Sequence, residues 1–314
     1  MKSKNNSKKI YTNPLFVTLC ALLCCALWGS ATPFIKLGYE MILPVKNTSS
    51  TILFAGVRFI FAGVLTVLIY SIARRSFLHP KSSNWGRVFK VASFQTVIQY
   101  IFFYVGLANT TGVKGTIISG SSAFFAIFVS SLIFKMEKLT VKKIVACLIG
   151  FAGIVAVNLK GLDFNMNFTG DAFVLFSAVS LAVSSTLMKI YSKHEDPVVI
   201  SGYQFIVGGL FMIVVGLIAG GAIVVDSVAA FGVLTYLSML SAVAYALWGI
   251  LLKYNPVSKV TIFSFMTPVF GVILSKIMLA ESADVSLFNI LVALALVCVG
   301  IFMLNYTKKT DESH

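Results

Sequence analysis

The sequence predicts an all-α integral membrane protein with ten transmembrane helices, arranged as two inverted-topology five-helix repeats. Three observations predict it. The 314 residues are 58% hydrophobic and 11% charged with a mean hydropathy of +0.93, whereas soluble chains carry about 25% charged residues. The apolar residues gather into ten runs, most of them near the roughly 20 residues a helix needs to cross a bilayer. A series of matching residues also recurs at an almost constant distance along the chain.

The runs follow in order. A basic tail (residues 1–14) leads to Leu15–Leu37, which is too long for a signal-peptide core and lacks an A-x-A-like exit, so it is expected to be retained. Thr51–Ala73, Val88–Leu107 and Gly115–Phe134 come next. The fifth run, Ile144–Val157, is short and must borrow from Lys143 or Asn158. A polar linker over 159–170 separates the halves. The second half holds Ala172–Ile190, Val198–Ala219, Val228–Leu252, Val260–Leu279 and Val285–Tyr306, ending in a short tail over 307–314. Brief connections leave no room for a soluble domain.

Charge sets the orientation. The net charge of +14 would suggest nucleic acid in a soluble chain, but here it gathers in short loops, so no nucleic-acid partner is expected. With the N-terminal tail in the cytoplasm, Lys36, Lys46, Lys114, Lys160 and Lys276 face outward and Arg58 lies inside a span. The remaining nineteen of the 25 cationic residues face inward. The positive-inside rule then places both termini in the cytoplasm. Cys20, Cys24, Cys25, Cys147 and Cys298 all lie in apolar runs without metal-ligand spacing, and read as small buried thiols.

The repeat is carried by an ordered series. Gly56–Phe59 (GVRF) matches Gly202–Phe205 (GYQF); Tyr100 pairs with Tyr245, Lys114 with Lys259, Glu137 with Glu281, and Asn158 with Asn305, at offsets of 146, 145, 145, 144 and 147. Lys36 and Lys189 close the first span of each half. Five spans per unit is an odd number, so the second copy must enter the membrane in the opposite sense, an architecture common in alternating-access transporters.

The stretches Ala26–Gly38 (ALWGSATPFIKLG), Val57–Gly63 (VRFIFAG), Gly106–Thr140 and Tyr254–Glu281 resemble the ten-span EamA-type carriers of the drug/metabolite transporter superfamily. The resemblance runs from Leu15 to Tyr306. It implies a plasma-membrane carrier of small organic solutes, often an exporter of amino acids or related metabolites, and not an enzyme. Two features depart from the family pattern. Ala123 stands where the fourth span usually has proline, although the ninth keeps Pro268, which suggests asymmetric bending. Lys114 and Lys259 stand where small or neutral residues are usual.

Candidate site residues follow from the cost of burying polarity in lipid. A charge at mid-helix costs roughly 2.5–3.5 kcal/mol on the insertion scale, so Arg58 needs a reason. It either binds a substrate carboxylate or phosphate bidentately, or snorkels and caps backbone carbonyls. Gln204, its counterpart, keeps hydrogen bonding without charge. Lys114 and Lys259 lie near helix starts, where they oppose the macrodipole and either attract an anion or reach to headgroups. Lys36 and Lys189 are pathway or interfacial residues. Trp28, Tyr100, Tyr203, Tyr245 and Trp248 bring donors into the spans that a wet cavity would satisfy. Glu137 and Glu281 read as helix-start stabilisers, and Pro33 and Pro268 as hinge points. No acidic group lies deep in a span and no histidine lies within one, so neither proton coupling nor an intramembrane hydrolase is supported. No cofactor or metal is expected. The expected partners are a small-molecule solute and membrane lipids. The function expected is secondary transport of a carboxylated solute, amino acids leading. Phosphorylated or sugar-linked metabolites are the alternative, and a channel or structural protein the rival outside that class.

Overall fold

A computed structural model describes residues 9–158, 167–279 and 287–306, and every regular element among them is helical. Ten helical segments follow the ten runs: α1 (Pro14–Ile42), α2 (Thr48–Arg74), α3 (Ser82–Ala108) and α4 (Lys114–Ile133), α5 (Val141–Val157), α6 (Phe168–Tyr191), α7 (Pro197–Ile218), α8 (Val228–Tyr254), α9 (Val257–Ser275) and α10 (Leu287–Asn305). Nine of them are long and apolar enough to cross a membrane. The other, α5, has 17 residues, about 26 Å at 1.5 Å per residue, against a hydrocarbon core of about 30 Å.

Local sequence sets the ends. Asn13, Asn47, Thr111, Thr140, Asn167, Asp196 and Ser227 each accept backbone N–H groups from the first turn that follows them. Pro14 and Pro197 occupy the first helical position, where no N–H is needed. Asn167 starts α6 at Phe168, four residues before the apolar run begins. Polar ends are as good a helix signal here as hydropathy.

Lipid gives no hydrophobic drive between helices, so close backbone approach matters more. The most extensive packing is α2 on α7, and glycine makes it possible. A Cβ at Gly63 would lie 2.5 Å from the Gly202 carbonyl oxygen, and one at Gly209 would lie 2.7 Å from that of Gly56. The α5–α10 crossing has the same form: a Cβ at Gly153 would lie 2.8 Å from the Ala293 carbonyl oxygen, and one at Gly300 would lie 2.7 Å from that of Ala146. In both crossings the two contacts exchange repeat-matched residues.

Four spans depart from regular helix, and α6 does so by opening in a π-turn over Phe168–Ala172. α3 widens into a π-turn over Ser93–Ile98. α4 breaks at Ser121 between Gly112–Gly120 and Ser122–Phe128, and ends in a π-turn. The ninth run is built as Val257–Thr261, a 3₁₀ stretch Ile262–Phe265, and Met266–Leu279 containing Pro268. The two repeat-matched spans are therefore both interrupted, so Ala123 in place of proline does not leave α4 straight. Ser121, whose side chain donates to the Ile118 carbonyl at 2.5 Å, marks the break instead. Pro33 lies buried inside α1, four residues after Gly29, whose carbonyl it leaves without a helical donor. That carbonyl stands beside the α1–α9 crossing, where a Cβ at Gly29 would meet Phe270 at 2.6 Å.

The cysteine reading needs one correction. Cys24, Cys25 and Cys147 are buried and Cys20 is half-buried, but Cys298 is exposed on α10.

Candidate functional site

The site begins with Arg58. It lies ten residues into α2 and is 3% exposed. Its Nε is buried without a hydrogen-bond partner, and among the described residues no carboxylate pairs with it. The guanidinium carbon sits 4.6 Å from the centre of the Phe59 ring and 6.0 Å from that of Tyr100, within cation–π range. The phenols of Tyr104, Tyr100, Tyr39 and Tyr245 lie close enough to interact with it electrostatically. A buried cation surrounded by neutral oxygens and ring faces is held in place but not neutralised.

Rings from both halves close around it. Phe59 and Phe205, repeat-matched, stack with centroids 5.0 Å apart and planes 4° from parallel. The Tyr100 and Tyr245 hydroxyls, also repeat-matched, lie 2.9 Å apart in a shared hydrogen bond. Trp28 meets Tyr245 and Trp248 edge to face at 5.2 and 4.9 Å, and its Nε1 has no partner. The expected residues Trp28, Arg58, Tyr100, Tyr245 and Trp248 therefore converge on one aromatic cluster.

Gln204 lies beside that cluster rather than in it. It is fully buried and accepts from Thr96 Oγ1 at 2.5 Å, in the π-turn of α3, leaving its Nε2 unpartnered. A π-turn presents Thr96 where a regular helix would not, a common feature near functional sites. Gln95 and Gln99, on the same span, are 6% and 9% exposed, and each has an unpartnered side-chain oxygen.

Other expected residues take different positions. The Tyr203 hydroxyl donates to the Leu78 carbonyl at 3.1 Å and its ring packs on Trp85, so it fastens the connection between α2 and α3 outside the cluster. Lys114 pairs with Asp171 at 3.4 Å. Asp171 in turn accepts from Thr110 Oγ1 at 2.5 Å and from the Asn167 N–H at 2.9 Å. Lys189 donates to the Leu252 and Asn255 carbonyls at 3.0 and 2.5 Å, closing the C-terminal end of α8. Lys259 is half-buried in the first turn of α9, and Lys36 is exposed on α1. Pro268 is half-buried in the last piece of α9. Glu137 does cap a helix start, but that of α9 rather than of the helix that follows it. It accepts from the Ser258 N–H at 3.2 Å, from the Ser258 hydroxyl, and from Lys143 at 2.8 Å. Burial works to raise its carboxyl pKa, and these donors outweigh that and hold it below the ordinary value. Glu281 lies outside the described residues.

Sequence reading missed Phe59, Phe205, Tyr39, Tyr104, Thr96, Gln95 and Gln99. Signals existed for several. Phe59 and Phe205 end the matched GVRF and GYQF stretches, Tyr104 is one turn beyond Tyr100, and Gln95 and Gln99 are polar residues one turn apart within an apolar span.

A bundle whose described residues include nine helices long and apolar enough to cross a membrane has the form of a multi-pass membrane protein. Comparison with known proteins gives the family: the chain belongs to the EamA-like transporter family, whose sequence profile matches residues 15–159 and 168–306. Uncharacterized transporter sll0355 of Synechocystis sp. is 26% identical over 307 residues, covering 90% of this chain and 88% of its own length. Uncharacterized transporter YvbV of Bacillus subtilis is 25% identical, covering 91% and 90%. The WAT1-related chloroplastic protein At3g02690 of Arabidopsis thaliana is 24% identical, covering 90% and 68%. A solved crystal structure shares the fold at a TM-score of 0.72 and 17% identity, over 91% of this chain and 97% of that one. The family is one of transporters, and the Synechocystis and Bacillus relatives are named as transporters.

Proposed function

We propose that this protein is a secondary transporter of the plasma membrane that moves a small carboxylated organic solute, amino acids foremost, by alternating access between two inverted repeats. Ten spans and both termini in the cytoplasm complete the reading. The observation that carries it is Arg58: a buried guanidinium with an unpartnered nitrogen and no carboxylate partner among the described residues has the donors a carboxylate needs. The Tyr100–Tyr245 hydroxyl pair can turn its donors toward the same anion, and Trp28 and Trp248 can hold the remainder of the solute.

The repeat reading draws on the reciprocal contacts. Phe59 on Phe205, Tyr100 on Tyr245, and the exchanged glycine contacts of Gly56 with Gly209 and Gly63 with Gly202 join matched positions across one axis. Such an axis lets the two halves exchange inward-open and outward-open roles, with Pro33, Pro268 and the break at Ser121 as bending points. Phosphorylated or sugar-linked metabolites would need further cations facing the site. Lys114 and Lys189 are engaged by Asp171 and by backbone carbonyls, which favours a single carboxylate.

The test is counterflow in proteoliposomes, with amino acids, phosphorylated sugars and organic cations, on the parent and on Arg58→Gln. Saturable exchange of carboxylated solutes is expected, weakened roughly 10- to 100-fold in the variant, as loss of a hydrogen bond to a charged group implies. Non-saturating flux without counterflow would make the protein a channel. Exchange that survives the substitution would return Arg58 to helix packing.

A further inference from the structure

A groove of about 570 Å³ opens on the outer face of α10, lined by Cys298, Val299, Phe302, Met303 and Tyr306 together with Lys142 of α5. Val299, Phe302 and Tyr306 are 52%, 65% and 57% exposed, so the apolar wall faces lipid. Lys142 closes one end and donates to the Tyr306 carbonyl at 2.6 Å, which leaves two of its three ammonium protons for another acceptor.

Two further observations bear on the occupant. The groove borders α5, the shortest span, whose 17 residues fall short of the hydrocarbon core and leave a mismatch that the surrounding lipid must fill. The segment leading into α5 carries Lys135, Lys138, Lys142 and Lys143 within nine residues. Its one acid, Glu137, is engaged by Lys143 and Ser258, and Lys135, Lys138 and Lys142 are exposed. A cationic end on an apolar groove between spans matches an anionic headgroup above an acyl chain.

We propose that this groove binds one acyl chain of an anionic glycerophospholipid, with Lys142 holding its phosphate at the membrane interface. Tyr306 stacks on Phe302 at 5.0 Å and stands at the depth where an amphipathic ring favours the headgroup layer. A zwitterionic lipid can fill the same wall but brings no net charge to the lysines, so the site discriminates by headgroup.

The experiment uses the full chain in vesicles of phosphatidylcholine. These are doped with a trace of phosphatidylglycerol or phosphatidylcholine that carries a diazirine in its acyl chain. Adducts are mapped by mass spectrometry after illumination. Phosphatidylglycerol adducts are expected to gather on residues 298–306, about fivefold above the phosphatidylcholine probe for each lysine that contributes. Lys142→Glu should abolish that excess. Because Lys142 also closes the end of α10, a second variant, Val299→Trp, fills the groove without altering charge and should lower labelling by both probes there. Equal labelling by the two probes, an excess that survives Lys142→Glu, or protein–protein adducts on α10 would overturn the proposal.

Discussion

Glu137 illustrates how a single side chain in this protein differs from its appearance in the sequence. It resembles a residue that starts the next helix, yet Thr140 does that and Glu137 reaches 121 positions along the chain to Ser258. Its folded pKa lies below the ordinary 4.5, so its contribution to stability is complete above that value and is lost as pH falls through the lowered one. The melting temperature of the parent should therefore drop between about pH 5 and pH 3 by more than that of Glu137→Gln. Parallel curves would remove the pair from the account of acid stability. Residues in the spans were more legible. Arg58, Trp28, Tyr100 and Tyr245 stand out because polar and amphipathic groups are costly in lipid. What a sequence does not carry is the partner: nothing in the spacing of Lys114 and Asp171 says that they meet across the two halves, or that Lys189 closes a helix end.

Helices were legible through apolar run length and through the caps, but their irregularities were not. The π-turn of α3 brings Thr96 to Gln204, a tertiary contact that no local propensity encodes, whereas the break at Ser121 goes with a local bond to the Ile118 carbonyl. The α2–α7 crossing is the exception, since its glycines are visible in the matched stretches. Placing a side chain there forces two backbones apart. Gly63→Val should cost at least about 1–3 kcal/mol and lower the melting temperature in detergent. Gly86→Ala, where nothing lies within 4 Å of the added Cβ, should leave it near the parent value. If both variants melted alike, the crossing would not be the tight contact described.

At the scale of the molecule, charge asymmetry predicts an orientation for the bundle. Nineteen cationic residues to one side against five predict which loops face the cytoplasm. In a cysteine-free background, Lys46→Cys should react with an impermeant maleimide on intact cells, and Ser82→Cys only after permeabilisation. Both positions are exposed, so a silent Lys46→Cys with a reactive Ser82→Cys would reverse the orientation. The fold class follows from composition because lipid admits few architectures. Matched residues of the two halves meet in pairs, Phe59 on Phe205 and Tyr100 on Tyr245. Which of those residues touch depends on packing detail that emerges only in three dimensions.

The widened turns have a further consequence. A π-turn holds one residue more than the helix around it requires, and among the described residues such turns occur in α3, at the end of α4 and at the start of α6. Each is a small reserve of slack in an otherwise taut rod. Passing the surplus residue along by one peptide would swivel the intervening length of helix without breaking its ends. Three spans that pack on one another thus each carry such slack.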